Sequence, residues 1–521
     1  MSALTNISNL HMSPLVIPFF VLILILGIGL TYVVILGIYN VFFHPLRHYP
    51  GPLLNACTRL AWSYQVISGK SQFILNTFHD QYGPVVRIGP NELSYIDSRV
   101  WKDVYQSRSG HAQMQKDPLH YQKHDRTPSL HVSSDADHTR MRRLIAHAFS
   151  EKALREQESI MQQYSNLLMS RLQEVTKHGN AINIKQWFHW TLFDLFGDLC
   201  FNQSFGCVES GKSHPWVDII GQSINAFYYI GLARRIPGLY PLIMKLLMPK
   251  KRVEQAEWHS QFSIEMADRR MAMVTDRPDF MSFILKHNET DKALTVPEIR
   301  SNCNVLVPGG SETTSTFLTG TTWHLCKNPS VYKVLVEEIR STFENVEDIT
   351  IMKCASMQYL NAVIEEGLRI YPPVPSNMPR VLPNEGALVA GQWVPGGTSV
   401  CVAPYPMFVN SRNFKDSTSF VPERWLGGPK YANDDRFALQ PFSYGPRNCI
   451  GKNLAYSEMR LVLCKLLWNF DIEVMPESDK WFPHDMVVVW NSPDLVVKLH
   501  PVAREHRQSS STVISPEDTL A

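Results

Sequence analysis

Residues Phe442-Ser443-Tyr444-Gly445-Pro446-Arg447-Asn448-Cys449-Ile450-Gly451 place one cysteine in a turn punctuated by Gly445, Pro446 and Gly451, and residues 454–468 behind it read as a helix. A thiolate just ahead of a helix start is stabilised by the positive end of the helix dipole and by backbone N–H groups that lack a helical partner. Gly445 and Gly451 carry no Cβ, so the backbone can lie close to a flat partner. Phe442 supplies an aromatic wall, and Arg447 a cation for an acidic group. The set suits a buried thiolate ligating a haem iron, its donor strength tuned by N–H bonds to sulfur.

Phe442, Gly445, Arg447, Cys449 and Gly451 together match FxxGxRxCxG, and the stretch resembles the haem-binding loop of the cytochrome P450 superfamily. Upstream segments fit the same pattern in the same order. Glu366-Gly367-Leu368-Arg369 puts a carboxylate and a guanidinium at i and i+3 on one helix face. Arg424, in Phe420-Val421-Pro422-Glu423-Arg424-Trp425, matches the third member of that family's buried ion network. A carboxylate between two arginines is costly to break once buried, so the trio is expected to hold the scaffold of the cysteine loop.

Residues 298–327 read as one long helix interrupted by Pro308-Gly309-Gly310-Ser311-Glu312-Thr313-Thr314. Pro308 lacks the N–H its turn needs and two glycines follow, which predicts a kink or opened turn. The run is similar to the oxygen-binding groove of the superfamily, although Pro308 departs from the common pattern. Flat haem must lie against such a helix, so Gly309 and Gly310 keep side chains away, and Glu312 with Thr313 can pass protons. The helix opened by His138-Thr139-Arg140-Met141-Arg142-Arg143 matches the one that binds a haem propionate, with His138 where many members have tryptophan and Arg142 at the arginine position. Arg380 is the second arginine implied for a propionate, and residues 375–378 and 487–489 are expected at the substrate.

With 521 residues, 44% of them apolar, the chain can bury a large core. A net charge of +2 argues against nucleic-acid binding through bulk charge. Nine scattered cysteines without a CxxC pair fit a reducing compartment rather than a disulfide framework or a zinc site. Residues 15–38 are almost wholly apolar, about 36 Å as a helix, and basic residues follow rather than precede them. A retained anchor with the bulk of the chain on the cytosolic side is therefore expected.

The expected organisation is a lumenal tail (1–13) bearing the sequon at Asn6, a transmembrane anchor (14–40) and a proline-rich hinge (41–52). A catalytic domain (53–503) and a disordered tail (504–521) follow. Residues 85–88 and 92–96 read as a β-hairpin, 387–389, 392–394 and 398–403 as short strands, 481–499 as a last sheet and 107–130 as a long loop. Apolar residues followed by basic ones over 216–252 suit either a segment in the membrane interface or a buried helix pair.

The resemblance implies a mainly α fold with small β-sheets (α+β), the cytochrome P450 fold, on one N-terminal transmembrane helix in the endoplasmic reticulum membrane. It implies haem b (iron protoporphyrin IX) and a monooxygenase that inserts one atom of O2 into an apolar substrate, of the kind found in fungal secondary metabolism. Electrons would come from NADPH-cytochrome P450 reductase, with cytochrome b5 as a further partner, since no nucleotide-binding fingerprint is present. A haem-thiolate isomerase or dehydratase is the first rival, against which Glu312-Thr313 speaks. A non-catalytic membrane haem protein is the second, in which a complete proton relay would be idle.

Overall fold

The computed structural model describes residues 16–107, 113–121, 127–236, 238, 240–247, 250–275, 277–286, 288 and 293–503. The expected lumenal tail with Asn6, the C-terminal tail and parts of the 107–130 loop lie outside them. The helices that build the site are labelled here in chain order: α1 (Val16–Phe42), α2 (Asp135–Ile145), α3 (Ile184–Phe201), α4 (Pro215–Arg234), α5 (Lys250–Ala272), α6 (Val296–Lys327), α7 (Gln358–Ile370) and α8 (Lys452–Asn469).

Among the described residues, ten short strands form three small sheets. One has the order β1 (Val85–Gly89), β2 (Glu92–Tyr95), β8 (Ser399–Val402), β5 (Arg380–Val381), β3 (Gln115–Lys116). A second is β4 (Ala181–Asn183), β10 (Val496–Pro501), β9 (Phe470–Val474), and a third pairs β6 (Ala387–Val389) with β7 (Gln392–Val394). The expected hairpin is present, with Val85 opposite Tyr95 and Val86 opposite Ser94.

Helices and first sheet bury separate apolar clusters, one centred on α3, α6, α7 and α8, the other on β1, β2 and β8 with Trp62, Trp101 and Phe408. α6 runs through the larger cluster. It starts at a capping box, with Thr295 accepting from the Glu298 N–H and Glu298 from the Thr295 N–H. Its hydroxyl residues can be buried because they bond back one turn: Ser311 to the Val307 carbonyl, Thr319 to Ser315 and Thr322 to Leu318. α6 continues as one helix through Pro308, the turn at which a kink or opening is expected.

One expectation needs correction. Residues 481–495 form no ladder beyond a bridge between Met486 and Trp490. Their rings pack into a cluster instead: Trp490 stacks on Tyr371 at 5.1 Å, and Trp481 and Phe482 lie 5.6 Å from the same ring. The proline-rich hinge is tied to the first sheet, where the Arg87 N–H of β1 donates to the Pro50 carbonyl at 2.7 Å. Ahead of it, α1 leaves Leu24, Leu26, Ile28 and Leu30 exposed, and residues Ile23–Phe42 are long and apolar enough to cross a bilayer.

Candidate active site

The cysteine loop is a set of nested turns. The Cys449 N–H donates to the Phe442 carbonyl at 2.8 Å and the Asn448 N–H to the Gly445 carbonyl at 3.1 Å. Gly445 has φ +75°, and a Cβ there would lie 2.0 Å from the Tyr105 carbonyl oxygen. The glycine is thus required by the turn and by the backbone of Tyr105. Gly451 caps α8 and directs its N–H at the Cys449 sulfur. Phe442 packs on Tyr456 at 5.2 Å.

Burial pushes the Cys449 thiol up, against the Gly451 N–H and the charges of Arg142 and Lys452. Yet of the nine cysteines only Cys449 is exposed. An exposed thiol that already receives an N–H bond is a ligand site for a soft-ligand metal.

On α6, Val305, Gly309 and Thr313 recur every fourth residue and so share a face. Val305 is 39% exposed, and nothing lies within 4 Å of a Cβ built on Gly309. The Thr313 hydroxyl donates to the Gly309 carbonyl at 2.7 Å on that open face. Gly310 faces elsewhere: its Cβ would stand 1.8 Å from Phe196 of α3. The second glycine therefore permits helix packing and does not clear the open face, which corrects the sequence reading.

Glu312 and Thr313 are neighbours whose side chains diverge. Glu312 Oε2 lies 2.8 Å from His189 Nε2 on α3. Burial raises the Glu312 carboxyl, but His189 and Lys185 outweigh it and hold it below its ordinary value. Both groups border a polar cavity of about 310 Å³, with Lys185, Asp218, Val489 and Asp494 in its wall. Val489, expected at the substrate, thus lines the Glu312 side. Asn377 is buried and accepts from Gln72 at 3.2 Å.

A third feature is a crowd of cations. Arg447 donates to Asp135 and to the Ser133 carbonyl, both at 2.8 Å, while its Nη1 is buried without a partner. Arg380 lies over the rings of Tyr105 at 5.0 Å and Tyr121 at 5.8 Å. Lys116, which sequence reading missed, is paired directly with Arg380 across the β3–β5 ladder, and its Nζ donates to the His131 carbonyl at 2.7 Å. Like charges facing each other on paired strands are unfavourable. Burial, Arg380 and Arg447 push the Lys116 ammonium far down, and burial, Arg447, Arg142 and Lys116 push His138 down to about 4.

An orphaned guanidinium N–H beside two opposed cations fits a pair of carboxylates such as those of haem. Arg142 donates from both its Nη groups to Asn448, to the carbonyl at 2.6 Å and to the side-chain oxygen, and so braces the cysteine loop.

The ion network is assembled as expected. Glu366, wholly buried, accepts from Arg369 Nη2 at 2.7 Å, Arg424 Nε at 3.1 Å, the Val421 N–H at 2.8 Å and Trp425 Nε1 at 2.9 Å. Arg424 also reaches Asp434, and its own carbonyl accepts from Arg436, which continues the scaffold toward the cysteine loop.

Comparison with known proteins agrees with this geometry. The cytochrome P450 monooxygenase astA of Talaromyces wortmannii is 41% identical over 488 residues, covering 92% of this chain and 98% of the relative. The cytochrome P450 monooxygenase aclL of Aspergillus oryzae is 42% identical over 474 residues, covering 90% and 96%, and cpaH of Aspergillus oryzae is 41% identical over 485 residues, covering 92% and 94%. The family model for cytochrome P450 matches residues 50–499, and with an exposed thiol, an open glycine on the long helix and a cationic cradle at the same site, the chain belongs to the cytochrome P450 family and is a haem-thiolate monooxygenase.

Proposed function

We propose that the group held is haem b, which Cys449 would ligate through its thiolate. Gly451 donates to the sulfur, and Phe442 flanks the loop that Gly445 and Arg142 keep in shape. Arg447 Nη1, Arg380 and His138 would hold the propionates. Bound haem supplies the reductive activation of dioxygen and the transfer of one oxygen atom to a C–H or C=C bond. Gly309 leaves room beside it, Val305 borders the substrate, and Thr313 holds a proton at Oγ1 on the open face of α6. Glu312 exchanges protons with the polar cavity it shares with His189. Glu366, Arg369 and Arg424 keep the cysteine loop in place without touching the reacting atoms.

The substrate is an apolar small molecule of fungal secondary metabolism, as Val305 and the open glycine favour over a charged one. Electrons come from NADPH through NADPH-cytochrome P450 reductase, with cytochrome b5 as a second donor. Helix α1 anchors the chain in the endoplasmic reticulum membrane with residues 1–13 lumenal, the hinge at 41–52 and the domain at 53–503 cytosolic. Exposed Leu53, Leu54, Leu242 and Leu246 rest against the same bilayer.

The observation that carries the reading is the exposed Cys449 with the Gly451 N–H aimed at its sulfur. Cys449→Ser in the full chain is expected to abolish the carbon monoxide absorption band typical of reduced thiolate-ligated haem. Survival of that band would reject Cys449 as the ligand.

A further inference from the structure

Pro308 lies inside α6, where its ring nitrogen cannot donate to the carbonyl of Asn304 four residues back. A helix carbonyl left in this way needs another donor. His259 of α5 brings Nε2 to 3.3 Å from the Asn304 oxygen. From the opposite side, Trp216 of α4 directs its indole N–H at His259 Nδ1, 2.6 Å away. An indole nitrogen only donates, so Nδ1 is the acceptor and the imidazole proton sits on Nε2, facing the carbonyl. One tautomer satisfies both contacts. Trp216 is fully buried and His259 is 3% exposed, so water does not compete for either bond.

Gly309 directly follows Pro308 on the same helix, and the Gly309 carbonyl is the acceptor for Thr313. What fixes the Asn304 carbonyl therefore also fixes the backbone from which the open face of α6 is built. We propose that His259 is a positioning residue for the oxygenation reaction: it supplies the hydrogen bond that Pro308 removes, and so ties the Gly309–Thr313 turn to α4 and α5. It touches neither cofactor nor substrate. The inference rests on the haem reading of Cys449 and Thr313, and it adds α4 and α5 as the support of α6 at its proline.

The test uses the full-length chain with carbon monoxide as the probe of the open face. His259→Phe leaves both the indole N–H and the Asn304 carbonyl unpaired. The C–O stretching band of the reduced carbonyl protein is expected to broaden or shift, and the carbon monoxide binding rate to change roughly two- to tenfold, the equivalent of one hydrogen bond. H259Q, whose amide can accept from Trp216 and donate to Asn304, should restore both readouts. The decisive arm is Pro308→Ala, which returns an N–H to the helix: in the P308A background, H259F should change neither readout further.

Equal effects of H259F with and without P308A would overturn the proposal, as would an H259F protein whose C–O band and binding rate match the wild type. Should H259F fail to accumulate, Trp216→Phe, which frees the tautomer, must shift the same band, and an unchanged band would be equally fatal. A wild-type protein without the thiolate carbonyl band would sink the haem reading and this inference together, whereas failure of the epistasis alone leaves the haem reading standing.

Discussion

Replacing Glu366 by alanine removes the one carboxylate on which two buried guanidinium groups converge. Arg369 would keep the carbonyls of Phe408, Ser417 and Ser419, and Arg424 those of Lys415 and Asp416 together with Asp434. Arg369 would then hold no carboxylate at all, with its side chain at zero exposure. Removing one partner from a buried pair costs about 3–5 kcal/mol, against roughly 0–1 kcal/mol for an exposed pair. A typical domain has only about 5–15 kcal/mol in total, so the loss is a large share of stability.

The damage should also have a direction. The Val421 N–H and Trp425 indole lose their acceptor at the same time, and Arg424 passes the disturbance to Arg436. Guanidinium titration of the full chain in detergent, followed by the thiolate carbonyl band and by far-ultraviolet circular dichroism, separates local from global loss. The band is expected to vanish at lower denaturant than the helical signal in E366A, with the two coincident in the wild type. Stability within about 1 kcal/mol of the wild type would refute the buried-network argument, because only a solvated pair is that cheap to lose.

Three other outcomes are expected. Thr313→Ala should retain haem and its thiolate band but divert NADPH from product to peroxide, measured with a substrate found by its shift of the haem spectrum; undiminished coupling would remove Thr313 from proton delivery. Lys116→Met should relieve the opposed pair with Arg380 while speeding haem loss to apomyoglobin several-fold, and K116R should reverse the loss, as a carboxylate contact requires. Glu458 of α8 is buried, accepts from the Thr314 hydroxyl at 3.0 Å, and is pushed by burial from 4.5 up to about 8. A raised carboxyl stabilises the fold fully below the unfolded value and loses that contribution as pH rises through the folded one. Relative to E458Q, the wild type should therefore lose thermal stability between pH 5 and 8, by up to roughly 5 kcal/mol; parallel profiles would show that Glu458 is not held neutral.

What could be read from the chain alone was whatever local chemistry decides. The cysteine loop is specified by its own turns, Gly445 with positive φ and Gly451 at the helix cap, so a ten-residue window carries it. Glu366 and Arg369 are three residues apart on one helix and meet wherever that helix goes. Lys116 has no such signature. It lies in a two-residue strand, and its meaning comes from the ladder that sets it opposite Arg380, a register that no short window contains. Gly310 was misread for a related reason. Consecutive helix residues point about 100° apart, so two adjacent glycines cannot both clear the same face, and only the packing of α3 says that Phe196 occupies the second.

The stretch from 481 to 495 shows the opposite failure, a correct composition with the wrong geometry. Alternating apolar residues imply a strand only if a neighbouring backbone is there to pair with. Here Tyr371, at the end of α7, gathers the aromatic rings into a cluster, and the backbone leaves the sheet. Pro308 falls between these cases. Its missing N–H was visible, and a kink was the economical forecast for an isolated helix. The tertiary fold supplies a donor from outside, which the sequence of α6 cannot show. A histidine fills this role, with Nε2 3.3 Å from the Asn304 oxygen and a tryptophan indole fixing its tautomer, so the carbonyl that the proline leaves without a donor is satisfied from a neighbouring helix.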